Sequence, residues 1–564
     1  MTKVIGQVND KMRKSIRTSP TRKTIPRRRV RSLVIMLLGL TCLGGILLAG
    51  YFSDYALGHA HYAPQSQFAD WDGRRDEVRD TFMASWNAYK TYAWGENMSP
   101  KGLGWIIVDS LDTMMLMNLT EPLADARRWL HRSLTWDQDQ DINTFETTIR
   151  MMGGLLSAHY LSNRLPHIAS RRDSVYLSKA VDLADRLLVA FESNSGIPYA
   201  SVNIGKREGI VSHADGGASS TAEAATVQLE MKYLSHLTGN DIYWKKAERV
   251  MKVLDDQKME GGLVPIFVHP SHGRFTTREI RLGSRGDSYY EYLIKQYLQT
   301  GETIYRDMWE DALAGIAKHL VTTTRNAALK FVAELPAGIG GPLSPKMDHL
   351  VCFLPGTIAM AATEGRTLAE ARRDRDWTTH HEDDIELAID IMKTCWGMYA
   401  VTDTGLAPEI TWWLRRGSNA LSKWKKDYTI KPLDAHNLQR PETVESLFMM
   451  YRITGNSMYR EWGWNIFQSF QKHTLVLDGE GYTSLNDVRT VPPATRDNME
   501  SFWLMPSTDP LIWCIGRDSQ ILILVFSPTD YMPLTEVVFN TEAHPFLRFT
   551  PKGSLKTGWQ RMPR

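Results

Sequence analysis

The chain has 564 residues, 43% hydrophobic and 23% charged, which is the balance of a globular protein and not of a disordered or collagen-like one. Its formal net charge of +2 hides an asymmetry: residues 1–31 carry eleven Lys/Arg and one acid, Asp10, leaving 55 bases and 63 acids in the rest. That basic tail runs straight into an apolar stretch, which argues against nucleic acid as its partner and for a membrane surface.

From Ser32 to Ser53 no residue is charged, and Leu33–Ala49 is rich in Leu, Ile and Val. About 20 apolar residues cross a bilayer as a helix. Arg27, Arg28, Arg29 and Arg31 on its N-terminal flank favour a cytoplasmic N-terminus. Residues 1–31 therefore read as a cytoplasmic tail and 32–53 as a type II signal anchor with a luminal body. A cleaved signal peptide is the rival reading; the long basic lead and the length of the apolar run oppose it. Residues 54–70, with Gly, Pro, Ser and Gln, read as a luminal stem.

From Trp71 onward helical spacing dominates. It predicts helices over 77–93, 145–161, 174–191, 221–237, 243–256, 288–299, 304–321, 384–399 and 442–453. Ser220-Thr221-Ala222-Glu223 reads as a capping box, and Pro441 suits a first helical turn. Strand signals are few, with Tyr482–Val488 and Leu534–Asn540 as candidates. Thr238-Gly239, Thr300-Gly301 and Thr454-Gly455 each end one helix, with the Gly four residues before the Tyr that starts the next. About fourteen helical segments in about seven hairpins predict either a closed all-α toroid or an open solenoid. An enzyme pocket favours the toroid.

Four strings hold the acids that could carry chemistry. They are Phe145–Arg150, Arg285–Tyr292, Arg440–Glu445 and Phe539–His544. Converging carboxylates are the chemistry of glycoside hydrolysis. Each acid also has a plainer reading. Glu146 fits an i,i+4 pair with Arg150, Asp287 an N-cap, and Glu442 with Glu445 a solvated helix face. Glu409 carries no signal by itself. His380-His381-Glu382-Asp383-Asp384 looks metal-like but reads as an exposed charged loop before a helix. Cys42 lies in the apolar span, and Cys352 and Cys395 in the body, where a luminal setting allows them to pair; Cys514 is left over. Asn97-Met98-Ser99 and Asn118-Leu119-Thr120 are glycosylation sequons if the body is luminal.

Taken together, these strings resemble class I α1,2-mannosidases, glycosyl hydrolase family 47. Trp105–Thr113 and Lys346–Phe353 add to the match, which spans about residues 70–550. The resemblance implies an (α/α)7 barrel over 71–550, followed by a C-terminal tail, 551–564. It implies Ca²⁺-dependent, inverting removal of terminal α1,2-linked mannose from high-mannose N-glycans on glycoproteins. Glu146, Asp287, Glu409 and Glu442 match the essential acids. Glu146 would donate the proton, with Asp287 as rival, and Glu442 would activate water. Thr541 would be the protein's direct calcium ligand. Arg285, His349, Arg440, Glu445, Phe502 and Glu542 would line the sugar or calcium site. Cys352 and Cys395 match the family's disulfide. Arg285, two residues before Asp287, points to the endoplasmic-reticulum branch, with the Golgi as the alternative location. A non-catalytic luminal glycan-binding protein acting in glycoprotein degradation is the alternative function, and a membrane-anchored helical scaffold the plainest one.

One interval departs from the family. After Glu500–Leu504 the family continues into a helix whose glutamate helps hold calcium and sugar. Here Met505–Val525 carries Pro506, Pro510 and Cys514 instead. Two prolines within five residues oppose a helix. The interval reads as a retained intron or splicing error, or else a divergent insertion; if the chain is real as written, a barrel helix and one site carboxylate are missing.

Overall fold

The computed structural model describes residues 70–95, 102–413, 424–476, 481–496, 517–528 and 530–561. The expected tail, membrane span and nearly all of the stem lie outside these residues. Among the described residues no helix is long and apolar enough to cross a membrane.

Seven helices form an inner ring. In chain order they are Leu111–Leu116, Gly153–Arg164, Gln228–Thr238, Asp287–Thr300, Leu354–Thr363, Glu442–Thr454 and Arg517–Phe526. Each packs on the next, and the last packs on the first, so the ring closes. An outer helix backs each of them: Thr120–Arg132, Ser174–Leu187, Ile242–Asp255, Thr303–His319, Thr379–Ala400, Met458–Thr474 and, for the last, Trp71–Tyr92. Among the described residues, the first long helix thus completes the hairpin begun by the last helix. This is the toroid and not the open solenoid.

The inner helices are buried on nearly every side, as a helix packed on two neighbours and an outer partner must be. Gln228–Ser235 is buried without a break. The outer helix Ile242–Asp255 instead buries one stripe, Tyr243, Ala247, Val250, Met251 and Leu254, with Trp244 and Glu248 at its edges.

The hairpin turns repeat one device. Gly239, Gly301 and Gly455 adopt φ of 73°, 74° and 70°, and each N–H donates to the carbonyl four residues back. A Cβ at any of them would meet nothing within 4 Å. Backbone conformation therefore selects glycine here, not space.

The helix expected to be lost is present in its C-terminal part. Arg517–Phe526 is helical, and Ile521–Phe526 are buried in the ring closure. This apolar run contains no proline and has a ready-made groove between Trp71–Tyr92 and Glu442–Thr454. Pro506, Pro510 and Cys514 lie outside the described residues.

Three smaller expectations change. Helix 221–237 breaks into Thr221–Ala225 and Gln228–Thr238, because Thr226 and Val227 leave helical geometry. The His380–Asp384 run is not a loop; it lies in the first turns of Thr379–Ala400, whose Thr378 N–H donates to the His381 ring. No three metal-ligating side chains cluster among the described residues. Among the described residues strand is confined to short antiparallel ladders, one of three strands and the rest pairs, among them Val537–Phe539 with Pro545–Leu547. Cys352 and Cys395 form a disulfide. The stretch expected as a tail lies against the outer helices, where Gly558 N–H donates to Glu248 and Arg561 to Asp311.

Candidate functional site

A cavity of about 300 Å³ opens at one end of the ring, and residues from all four acidic strings line it. Glu146, Glu223, Asp287, Glu442 and Glu542 supply its carboxyl groups, and Arg150, Arg285 and Arg440 its cations.

Glu146 sits where the chain turns from a short strand into helix. Asn143 caps that turn by accepting from the Glu146 N–H at 2.8 Å. A π-helical turn follows, Thr147–Met152, which widens the helix and brings Arg150 under Glu146. Arg150 donates through Nε to Glu146 and through Nη1 to Glu542, each at 2.7 Å. Burial alone would lower the Arg150 pKa, but Glu542, Glu146 and Asp109 overcome it and push it higher still. The i,i+4 pair is therefore real, and it forms one half of a site contact.

Asp287 is the first residue of its helix; the cap is Gly286, contrary to the N-cap reading. Its carboxylate accepts from the Ser288 N–H at 2.7 Å. Burial pushes the Asp287 pKa up to about 7; Glu291 and Glu442 add to this, and the Ser288 N–H and Arg440 oppose it. Glu442 begins the next acidic helix and faces His349, whose Nδ1 lies 3.2 Å from its Oε2. Glu409 does not line the cavity. It accepts from Arg440 Nε at 2.5 Å and so holds a cation that does. Glu445, one turn after Glu442, is buried against Lys295 at 3.1 Å, and Glu291 shares that ammonium. The two acids read as one solvated face thus have separate buried roles.

The loop Asn540–His544 enters the ring between these helices. Asn540 Nδ2 donates to Ile149 O and to Glu230, each at 2.8 Å, while its Oδ1 accepts from the Glu542 and His544 N–H groups. His544 bonds Asp112 at 2.7 Å and Asp109 at 3.0 Å. Burial lowers its pKa, but the two carboxylates outweigh burial and push it up to about 10, so both nitrogens donate. The loop can approach the inner helix because Gly153 lacks a Cβ, which would lie 2.7 Å from Asn540 Nδ2. This pinning holds Thr541 at the cavity. Its N–H donates to Tyr292, while its hydroxyl and carbonyl make no hydrogen bond among the described residues. Two uncommitted hard oxygens beside carboxylates are the donor set a Ca²⁺ ion takes.

Sequence reading missed Glu223, which it took only as part of a capping box. Ser220 does cap that turn, accepting from the Glu223 N–H. The Glu223 carboxyl, however, lines the cavity. Burial pushes its pKa up to about 7, with Glu146 and Asp215 adding and Arg285 and Asn143 opposing. It also missed Glu230, Glu291 and Lys295. Their only signal was polarity at positions that helical spacing would bury. Arg285 is held at a left-handed φ of 75°, over the Phe267 ring at 4.7 Å and against Asp215 at 3.0 Å. Phe502 and Asn97 lie outside the described residues. Asn118 is exposed, at the end of a helix.

The family model described as Glycosyl hydrolase family 47 matches residues 81–548. The chain is 50% identical over 512 residues to a Candida albicans mannosyl-oligosaccharide 1,2-alpha-mannosidase, covering 87% of this chain and 86% of that protein. It is 44% identical over 525 residues to the endoplasmic reticulum mannosyl-oligosaccharide 1,2-alpha-mannosidase of Saccharomyces cerevisiae, covering 86% and 93%. The structure is similar to that of an alpha-1,2-mannosidase from Trichoderma reesei, with a TM-score of 0.73 at 26% identity over 85% of this chain and 99% of that one.

Proposed function

We propose, from the premise that this chain belongs to glycosyl hydrolase family 47 and is a glycosidase, that it trims terminal α1,2-linked mannose from high-mannose N-glycans in the endoplasmic reticulum. The observation that carries the reading is one cavity in which Glu146, Asp287 and Glu442 meet beside Thr541. A type II anchor at 32–53, leaving 71–550 in the lumen behind the stem, completes it.

Inverting hydrolysis needs one carboxyl to protonate the leaving oxygen and another to activate water on the opposite face of the sugar. Glu442 is the base in this reading. It enters the cavity from the start of its helix, and His349 holds its far oxygen. Glu146 and Asp287 are the two carboxyls that could deliver the proton. Asp287 has the property a general acid needs, a pKa of about 7 set first by burial. Arg285, Arg440 and Glu223 offer hydrogen bonds to sugar hydroxyls at the rim, and Glu409 keeps Arg440 in place.

Thr541 would hold Ca²⁺ through Oγ1 and the main-chain carbonyl. When bound, the ion would supply positive charge and open coordination positions for sugar hydroxyls. The test is mannose release by residues 54–564, secreted from a eukaryotic host, on a high-mannose glycan with Ca²⁺ or with chelator. Calcium-dependent release of β-mannose, read by NMR before mutarotation, supports the reading. A folded chain that binds the glycan but releases nothing would favour the glycan-binding alternative.

A further inference from the structure

Three elements meet behind Glu442. The turn His349–Phe353 carries His349, the outer helix Thr379–Ala400 carries Tyr399, and the helix Glu442–Thr454 carries the carboxylate. They are tied together one turn away. The Cys352–Cys395 disulfide joins the first two, and Ser446 Oγ donates to Cys352 O at 2.5 Å to join the third. His349 is thus a buried ring with fixed neighbours on both nitrogens. Nδ1 faces Glu442 Oε2 at 3.2 Å, and Nε2 faces the Tyr399 hydroxyl at 2.8 Å and Thr443 Oγ1 at 3.0 Å.

A neutral imidazole has one donor nitrogen and one acceptor, and its partners decide which is which. An ionised carboxylate accepts only, so Glu442 in its basic form requires the proton on Nδ1. Nε2 must then accept, and a hydroxyl can supply that proton. We propose that Tyr399 is a positioning residue for the proposed hydrolysis: its hydroxyl donates to Nε2, keeps His349 as the Nδ1–H tautomer, and so holds the Glu442 carboxylate toward its water. The inference rests on the reading of Glu442 as the base. Without the Tyr399 hydroxyl, the ring can carry its proton on Nε2 and present a lone pair to Glu442. The carboxylate then loses its donor and its fixed orientation.

The test is a double-mutant cycle on mannose release. Tyr399→Phe keeps the ring and its packing and removes only the hydroxyl. It is expected to lower kcat about ten- to a hundredfold, the usual cost of losing a partner that orients an active group, with KM unchanged. His349→Asn replaces the ring by an amide that can donate to Glu442 and has no tautomers. In that background Tyr399→Phe is expected to cost nothing further, because the two residues act as one unit. An equal loss in both backgrounds, an unchanged kcat, or a change confined to KM would overturn the proposal. If Tyr399→Phe does not fold, the ¹⁵N shifts of the His349 ring in the wild-type chain carry the test: a proton on Nδ1 is expected, and a proton on Nε2 would overturn the proposal. Glu442→Gln separates the two levels. If it retains turnover, the base assignment itself fails; if it is inactive while Tyr399→Phe is unaffected, only the role of Tyr399 fails.

Discussion

Arg150 and Glu542, 392 positions apart in sequence, are joined by an ion pair of 2.7 Å, and both side chains are buried. The pair ties the helix that carries Glu146 to the loop that carries Thr541. It joins two stretches far apart in sequence that both line the cavity.

Arg150→Leu removes this tie and leaves Glu146 and Glu542 without their shared cation. Breaking a buried pair by losing one partner costs about 3–5 kcal/mol. The urea midpoint of the variant should fall accordingly, and mannose release should fall with it. A wild-type midpoint would show that the pair adds nothing.

Glu442→Gln keeps shape and hydrogen bonding but removes the carboxylate proposed as the base. General base catalysis contributes about 10²–10⁴ in rate. Turnover should drop by that order while thermal unfolding and glycan binding persist. Retained turnover would move the base to another carboxylate.

Calcium should stabilise the folded chain. At a free concentration near 100 times its Kd, an ion that binds only the native state adds about 2.7 kcal/mol. Thr541→Ala keeps the carbonyl oxygen and loses the hydroxyl. In a calcium titration followed by thermal unfolding, its midpoint should shift to higher Ca²⁺. Identical titrations would remove the Thr541 hydroxyl from the ligand set.

Glu223 should impose a pH dependence. Its folded pKa, raised by burial to about 7, exceeds that of the unfolded chain. Between the ordinary glutamate pKa and 7 the folded state therefore holds a proton that the unfolded state has lost. Stability from this group is greatest at low pH and is lost as pH rises through 7. Glu223→Gln stays neutral throughout. With chelator present, unfolding in urea at pH 5 and pH 8 should show a smaller loss of stability for the variant than for wild type. Parallel behaviour would place the Glu223 proton elsewhere.

Residues 551–561 should matter to stability although they lie beyond the barrel hairpins. Thr557 donates to Glu302, which also accepts from the buried Lys232 at 3.4 Å. Losing a hydrogen bond to a charged group costs about 1.5–3 kcal/mol. A chain ending at residue 550 should unfold at a correspondingly lower urea concentration, and an unchanged midpoint would mark the contact as incidental.

The sequence by itself determined the all-α class, the hairpin repeat and four acids of the cavity, Glu146, Asp287, Glu442 and Glu542. Helical spacing and the Thr-Gly turns are local signals, and local signals survive in one dimension. It likewise carried Glu146, Asp287 and Glu442 in strings specific enough to imply one family. Only the tertiary structure decided that the ring closes through its first and last helices, because a pairing between residues 71–92 and 517–526 leaves no local trace. It also decided the partners of each acid. Asp287 changed from an N-cap to a buried carboxyl, and Glu409 from a cavity acid to the holder of Arg440. Glu223 entered the cavity from a capping box. Whether a carboxyl caps, pairs or titrates near neutrality depends on burial and on the charges that distant segments bring to it, and those exist only once the chain is folded.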